Sequence, residues 1–139
     1  MSDYILPEVW ENPTSMGGAW GGLNQPTAGA RFEQTLPKGD QPFQLYTFPT
    51  PNGIKATIML EELKELGVTQ AGYDAYRIKI GDGDQFGSDF VAINPNSKIP
   101  AMMDYSEDQP VRVFESANIL LYLAEKFGKL IPTDHTKRT

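Results

Sequence analysis

Ser97-Lys98-Ile99-Pro100-Ala101-Met102-Met103 decides how the chain folds, because it fixes what comes before and after it. The proline biases Ile99 toward extended backbone, and Ala101, Met102 and Met103 continue as a short apolar strand. Polar Ser106-Glu107-Asp108-Gln109 makes a hairpin loop, and Val111, Val113 and Phe114 return as the partner strand. Glu115-Ser116 then opens a helix that carries Ile119, Leu120, Leu123 and Phe127 on one face and stops at Gly128. Backbone held extended ahead of a proline offers its N–H and C=O to a small peptide, which is strand addition in miniature. A helix N-terminus beside it brings unpaired N–H groups and a positive dipole end, suited to a carboxylate, while Glu115 suits an ammonium.

Working outward, Phe43, Leu45, Tyr46 and Phe48 form a short strand, and Thr50-Pro51-Asn52-Gly53 breaks it and launches a helix through Leu66, stopped by Gly67. Ile54, Ile58, Met59, Leu63 and Leu66 fall on one stripe, with Glu61, Glu62, Lys64 and Glu65 as the wet side. Tyr76, Ile78 and Ile80 alternate with Arg77 and Lys79 as a second strand, which Gly81-Asp82-Gly83-Asp84 ends. Gln85 to Val91 suits a short helix, and Asn94-Pro95-Asn96 a turn. The order β-α-β-α-β-β-α predicts an α/β, thioredoxin-like fold: a mixed four-stranded sheet with helices on both faces. This domain occupies 42–132. Residues 1–41, rich in Gly, Pro, Asn and Thr, read as an irregular arm. Its Trp10, Met16, Trp20 and Leu23 are costly to leave in water, so the arm is expected to lie on something.

With 139 residues and 40% hydrophobic content the chain can bury one core. Its net charge of -6 gives no electrostatic footprint for nucleic acid. No apolar run is long enough to span a bilayer, and Met1-Ser2-Asp3-Tyr4 lacks the basic flank of a secretory signal, so no membrane partner and a cytoplasmic location are expected. Cysteine is absent, which excludes disulfides, thiolate metal sites and a protein thiol nucleophile. Any thiol chemistry must bring its sulfur from outside.

The chain resembles the N-terminal domain of glutathione S-transferases, most closely the nu-class, disulfide-bond oxidoreductase branch. The likeness is carried by Thr50-Pro51-Asn52-Gly53, the run from Gly81 through Asp84 to Gln85-Phe86, Asn94-Pro95-Asn96-Ser97-Lys98-Ile99-Pro100, and Phe114-Glu115-Ser116 leading to Leu120-Leu121-Tyr122-Leu123. The resemblance implies that glutathione is the cosubstrate, with no metal. Ile99 would pair its backbone with the cysteinyl part, Pro100 would be cis, and Glu115 and Ser116 would hold the γ-glutamyl end. Thr50, Pro51 and Asn52 would lie at the sulfur, with Thr50 and Asn52 as the catalytic pair, and Asn24 and Gln85 would add contacts. It implies a homodimer acting on small disulfides or electrophiles, and makes 133–139 the start of a linker to an all-helical C-terminal domain.

Each site has a plainer reading beside this one. Thr50 and Asn52 suit a helix cap, and both roles can hold at once, since donors at a helix N-terminus also stabilise a thiolate. Glu115-Ser116 is equally an acidic first turn. Tyr46 sits where packing inside the first strand competes with a role near the ligand. Asp82-Gly83-Asp84 fails as a calcium loop, because Phe86 and Ile93 stand where oxygen ligands belong. Gly81, Gly83 and Gly87 miss the dinucleotide spacing, and His135, the single histidine, has no partner imidazole for a metal. The leading function is glutathione-dependent disulfide exchange; conjugation of electrophiles, a non-catalytic module that binds glutathione or protein, and a truncated fragment remain alternatives.

Overall fold

Strands β1 (Phe43–Thr47), β2 (Tyr73–Arg77), β3 (Ala101–Asp104) and β4 (Val111–Phe114) form one sheet in the order β2-β1-β3-β4. The structure is a computed structural model that describes residues 5–9, 18, 21–24 and 28–138, without the Asn24 side chain. Trp10, Met16 and Trp20 therefore lie outside the described residues. β1 and β2 run parallel, joined by helix α1 (Pro51–Glu65), while β1–β3 and β3–β4 are antiparallel. Helix α2 (Ser88–Ile93) precedes β3, and α3 (Ser116–Phe127) follows β4. This is the thioredoxin-like arrangement that the element order predicts.

Strand alternation divides the core between the two faces of the sheet. Phe43, Leu45, Met102 and Val113 pack with Leu60, Leu63, Ile119 and Leu123 of α1 and α3. Tyr46 and Ala101 pack on the other face with Ile78, Phe90 and Ile93. α1 buries Ala56, Met59, Leu60 and Leu63, an i, i+3, i+4, i+7 stripe. That corrects the expected stripe: Ile54, Ile58 and Leu66 are 45%, 54% and 51% exposed. The small Ala56 lets the helix lie close to the sheet, and its face wins over the neighbouring one with larger side chains.

Two further boundaries move. β2 begins at Tyr73, and its ladder stops at Arg77 because β1 ends at Thr47; Ile78 N–H still donates to Thr47 O at 2.8 Å. The expected helix from Gln85 to Val91 splits into a 3-10 turn, Asp84–Phe86, and α2, on either side of Gly87. The break is made by residues 31–36, which cross there. Arg31 N–H donates to Phe86 O and Ser88 N–H to Phe32 O, both at 2.9 Å. Gln34 N–H bonds Ser88 Oγ and Leu36 N–H bonds Asp89 Oδ2, again at 2.9 Å. A Cβ at Gly87 would meet the Gln34 side chain at 2.4 Å, so only glycine admits the crossing.

The hairpin between β3 and β4 is tied to α3 through Asp104. Its fully buried carboxylate accepts Tyr122 O–H at 2.6 Å, the Lys126 ammonium at 3.0 Å and Ser106 N–H at 2.7 Å, and Lys126 also pairs with Glu107. Burial pushes this carboxyl up, but the bonds from Tyr122, Ser106 and Lys126 outweigh it and hold it below its ordinary value. The unfolded chain thus binds the proton more readily, so the network's contribution is complete above the ordinary aspartate range and is lost as pH falls through the lowered value. Urea unfolding should show stability falling on acidification below about pH 4. Asp104→Asn should flatten that acid limb and lower stability at neutral pH.

Candidate functional site

The register of the sheet gathers one end of it into a site. Tyr46 pairs with Ala101 and Ala101 with Phe114, so the segments just beyond them, Thr50, Ile99-Pro100 and Glu115-Ser116, meet at the same edge. β2 runs parallel to β1, which delivers Ile80 and Gln85 to that end as well. There Leu23, Thr50, Asn52, Ile80, Gln85, Ser97, Lys98 and Ile99 line a cavity of ≈ 250 Å³.

Of the residues singled out in the sequence, Thr50, Asn52, Gln85 and Ile99 lie on the wall of this cavity. Pro51 is the first residue of α1, and Pro100, fully buried behind Ile99, follows a cis peptide bond. Glu115 and Ser116 stand at the same end of the sheet by register but are not on that wall. Leu23 brings the 3-10 turn Gly21–Asn24 to the cavity; the Asn24 side chain is outside what is described.

Thr50 caps α1: its Oγ1 accepts Gly53 N–H at 3.1 Å. The hydroxyl oxygen is thereby used as an acceptor, which leaves the O–H to donate at a helix N-terminus whose dipole favours an anion. Asn52 accepts from Lys55 Nζ at 3.2 Å through Oδ1, keeping its NH2 as a donor. Gln85 is 2% exposed; its NH2 bonds Ile80 O at 3.3 Å, and its Oε1 is a buried acceptor with no partner among the described residues. The wall therefore offers donors at the start of α1 and an acceptor on the β2 side.

β4 passes into α3 through one residue. Glu115 takes φ 69° between the last strand residue, Phe114, and the first helical one, Ser116, and its carbonyl accepts Ile119 N–H at 2.9 Å. A left-handed conformation at a non-glycine residue stores strain of a kind that collects at functional sites. Nothing in the local sequence signals it.

The sequence reading gives Asn94 as part of a turn and of the motif that ends at Pro100, with no role of its own, whereas it is the organiser of the loop ahead of Pro100. It is fully buried; Nδ2 donates to Lys98 O at 2.6 Å, and Oδ1 accepts Asn96 N–H at 3.0 Å. The second bond is an Asx turn, which Asn94-Pro95-Asn96 does signal. Ser97, at φ 54°, bonds back to Asn94 O at 3.0 Å. Lys98 reaches across to Leu23 O at 3.0 Å and so joins the arm to the cavity.

Tyr46 takes its packing role. It is 3% exposed, stacks on Tyr76 with ring centroids 5.6 Å apart, and donates to Pro37 O at 2.9 Å. Burial pushes its phenol up to about 12, so at neutral pH it keeps its proton on that carbonyl. Tyr46→Phe should lose about 1 kcal/mol of stability in chemical denaturation and leave turnover unchanged.

Residues 51–126 match the family model for the glutathione S-transferase N-terminal domain. The chain is 60% identical over 98% of its length to disulfide-bond oxidoreductase YghU of Escherichia coli, and covers 47% of that protein. A glutathione transferase YghU from Streptococcus pneumoniae, solved in complex with glutathione, superposes with a TM-score of 0.92 at 64% identity, over 97% of this chain and 52% of that one. A glutathione transferase from Pseudomonas putida, solved with one glutathione disulfide per subunit, matches at 40% identity and a TM-score of 0.65 over 73% of this chain and 43% of its own. The chain thus spans about half the length of the relatives it matches.

Proposed function

The chain belongs to the glutathione S-transferase family, and from that premise we propose that it acts as a glutathione-dependent disulfide oxidoreductase. The observation that carries this is a cavity walled by Thr50, Asn52 and Ile99 at the N-terminus of α1, in a chain that has no cysteine of its own. The reactive sulfur must then come from the bound tripeptide. Relatives with this fold are solved with glutathione and with glutathione disulfide, the two sides of one exchange reaction.

In this reading glutathione lies extended along Ile99, whose backbone N–H and C=O pair with its cysteinyl residue. Glu115 takes the γ-glutamyl ammonium, Ser116 and the α3 N-terminus take its carboxylate, and the unpartnered Gln85 Oε1 accepts an N–H of the ligand. Asn24 adds a contact from the arm. Pro51 closes the wall beside the thiol, while Thr50 O–H and the Asn52 amide donate to its sulfur. Those donors and the α1 dipole favour the thiolate, raising its fraction at neutral pH. The thiolate attacks one sulfur of a disulfide and a mixed disulfide forms, with the other sulfur leaving as thiolate. A second glutathione resolves the mixed disulfide to glutathione disulfide and releases the second thiol.

The chemistry draws on a reducing glutathione pool, which supports a cytoplasmic location. No helix among the described residues is long and apolar enough to cross a membrane. Exposed Ile54 and Ile58 beside Phe48 and Pro49 support a homodimer, in which such surface is covered.

The test is reduction of a small disulfide under saturating glutathione. The protein should turn over well above the uncatalysed exchange, faster than it conjugates an aryl halide. Thr50→Ala should reduce kcat/KM about tenfold, as expected for a hydrogen bond to a charged group, and Thr50→Ser should restore it. No rate above background would sink the reading.

A further inference from the structure

Residues 31–36 do more than separate α2 from the 3-10 turn Asp84–Phe86. The carbonyls of both residues that flank Gln85 are bonded to that crossing segment. Phe86 O accepts Arg31 N–H at 2.9 Å, and Asp84 O accepts the side-chain amide of Gln34, through Nε2, at 3.0 Å. We propose that Gln34 is a positioning residue for ligand binding, which aims the Gln85 side chain at an N–H of glutathione; this rests on the reading of the cavity as the glutathione site.

Gln85 needs such support because its own anchor is long. Its amide reaches Ile80 O at 3.3 Å, and Oε1 stands buried at the cavity wall with no partner among the described residues. An acceptor placed there is satisfied only by what enters the cavity, and a misdirected one leaves both itself and the ligand N–H unpaired. A three-residue 3-10 turn has poor hydrogen-bond geometry and little stiffness of its own. Its direction is therefore set from outside. Asp84 Oδ2 accepts Lys79 N–H at 2.9 Å on one side, and the Arg31 guanidinium lies 3.5 Å from the centre of the Phe86 ring on the other. The Asp84 carbonyl belongs to the peptide plane that carries the Gln85 nitrogen, so the Gln34 bond fixes where the Gln85 side chain leaves the backbone.

Stability alone does not account for a glutamine at position 34. Its Oε1 is buried with no partner among the described residues while Nε2 bonds Asp84 O. Desolvation of that acceptor offsets much of what the donor contributes. The approach is also close: a Cβ at Gly87 would stand 2.4 Å from Gln34 Cδ, so the neighbouring position is kept free of a side chain. A methionine would fill the same space with no unmet acceptor, and what it would lose is the tie to Asp84 O.

The test is glutathione calorimetry on the parent, Gln34→Met, Gln85→Ala and the double variant, with thermal melts of each. Gln34→Met should weaken glutathione about fivefold, the net worth of one hydrogen bond, with a midpoint close to the parent's. Gln85→Ala should weaken it at least as much. In the Gln85→Ala background Gln34→Met should change nothing further, because the side chain it aims is gone; a merely structural role would give additive losses. In turnover the Gln34→Met effect should fall on KM for glutathione, with kcat held. Parent-like affinity in Gln34→Met, a midpoint that falls along with the affinity, equal losses in the two backgrounds, or no glutathione binding by the parent would overturn the proposal. Calorimetry needs no turnover, so the two readings separate. A non-additive cycle in a protein that reduces no disulfide would sink the oxidoreductase reading alone, and an additive cycle in an active protein would sink this one alone.

Discussion

Gly53→Ala is expected to cost about 3 kcal/mol, at the upper end for overpacking a filled interior, and to lower the thermal midpoint on the order of 15 °C. Gly53 sits in the first turn of α1, buried against the end of β1. A Cβ there would stand 2.1 Å from Phe48 O and 2.5 Å from Thr47 Oγ1. The nearer atom is backbone, so no side-chain rotation relieves the clash, and the helix start must move. That start also carries the Gly53 N–H that Thr50 caps, so the shift should reach the cavity and weaken glutathione binding alongside stability. Gly81→Ala is the control: its added Cβ meets nothing within 4 Å. Calorimetric melts of the two variants check the difference, and equal midpoints would show that the close approach is not tight.

Asn94→Ala should act most strongly on the site itself. It removes the partner of Lys98 O and of Asn96 N–H in one step, at a residue with no exposed surface. Each lost hydrogen bond costs about 0.5–1.5 kcal/mol, and loop 95–98 would lose the ties that hold Ile99 in place. Asn94 is not on the cavity wall, so it is a positioning residue. The expected signature is a rise of about tenfold or more in KM for glutathione, with kcat much less affected. Asn94→Asp keeps the acceptor for Asn96 but sets a carboxylate oxygen against the Lys98 carbonyl, so it should be no better than alanine. A kcat loss with unchanged KM would contradict the positioning role.

Much of the fold was legible because its signals are short-range. The Thr50 cap, Pro51 at the first helical position, the Gly128 stop at φ 60° and the polar hairpin loop each depend on a few neighbouring residues. Where readings went astray, distant contacts had decided. The choice between two adjacent apolar faces of α1 was made by which one the sheet and α3 accept, and hydrophobic period alone cannot weigh Ala56 above Ile58. The split at Gly87 is imposed by residues 31–36, more than fifty positions earlier in the chain. Phe32 and Leu36, read as arm, are fastened to α2 and its face of the sheet.

Sequence by itself determined the order of elements, the absence of a protein thiol, and which short segments can cap, turn or stay extended, because each follows from local backbone preference or composition. Tertiary structure alone decided that Thr50, Gln85 and Ile99 share one wall and that Asn94 holds the loop between them. It also decided that Glu115 takes a positive φ between β4 and α3. The reason is geometric: these groupings come from strand register and helix-to-sheet packing between segments far apart in the chain, and no local pattern encodes the distance between them.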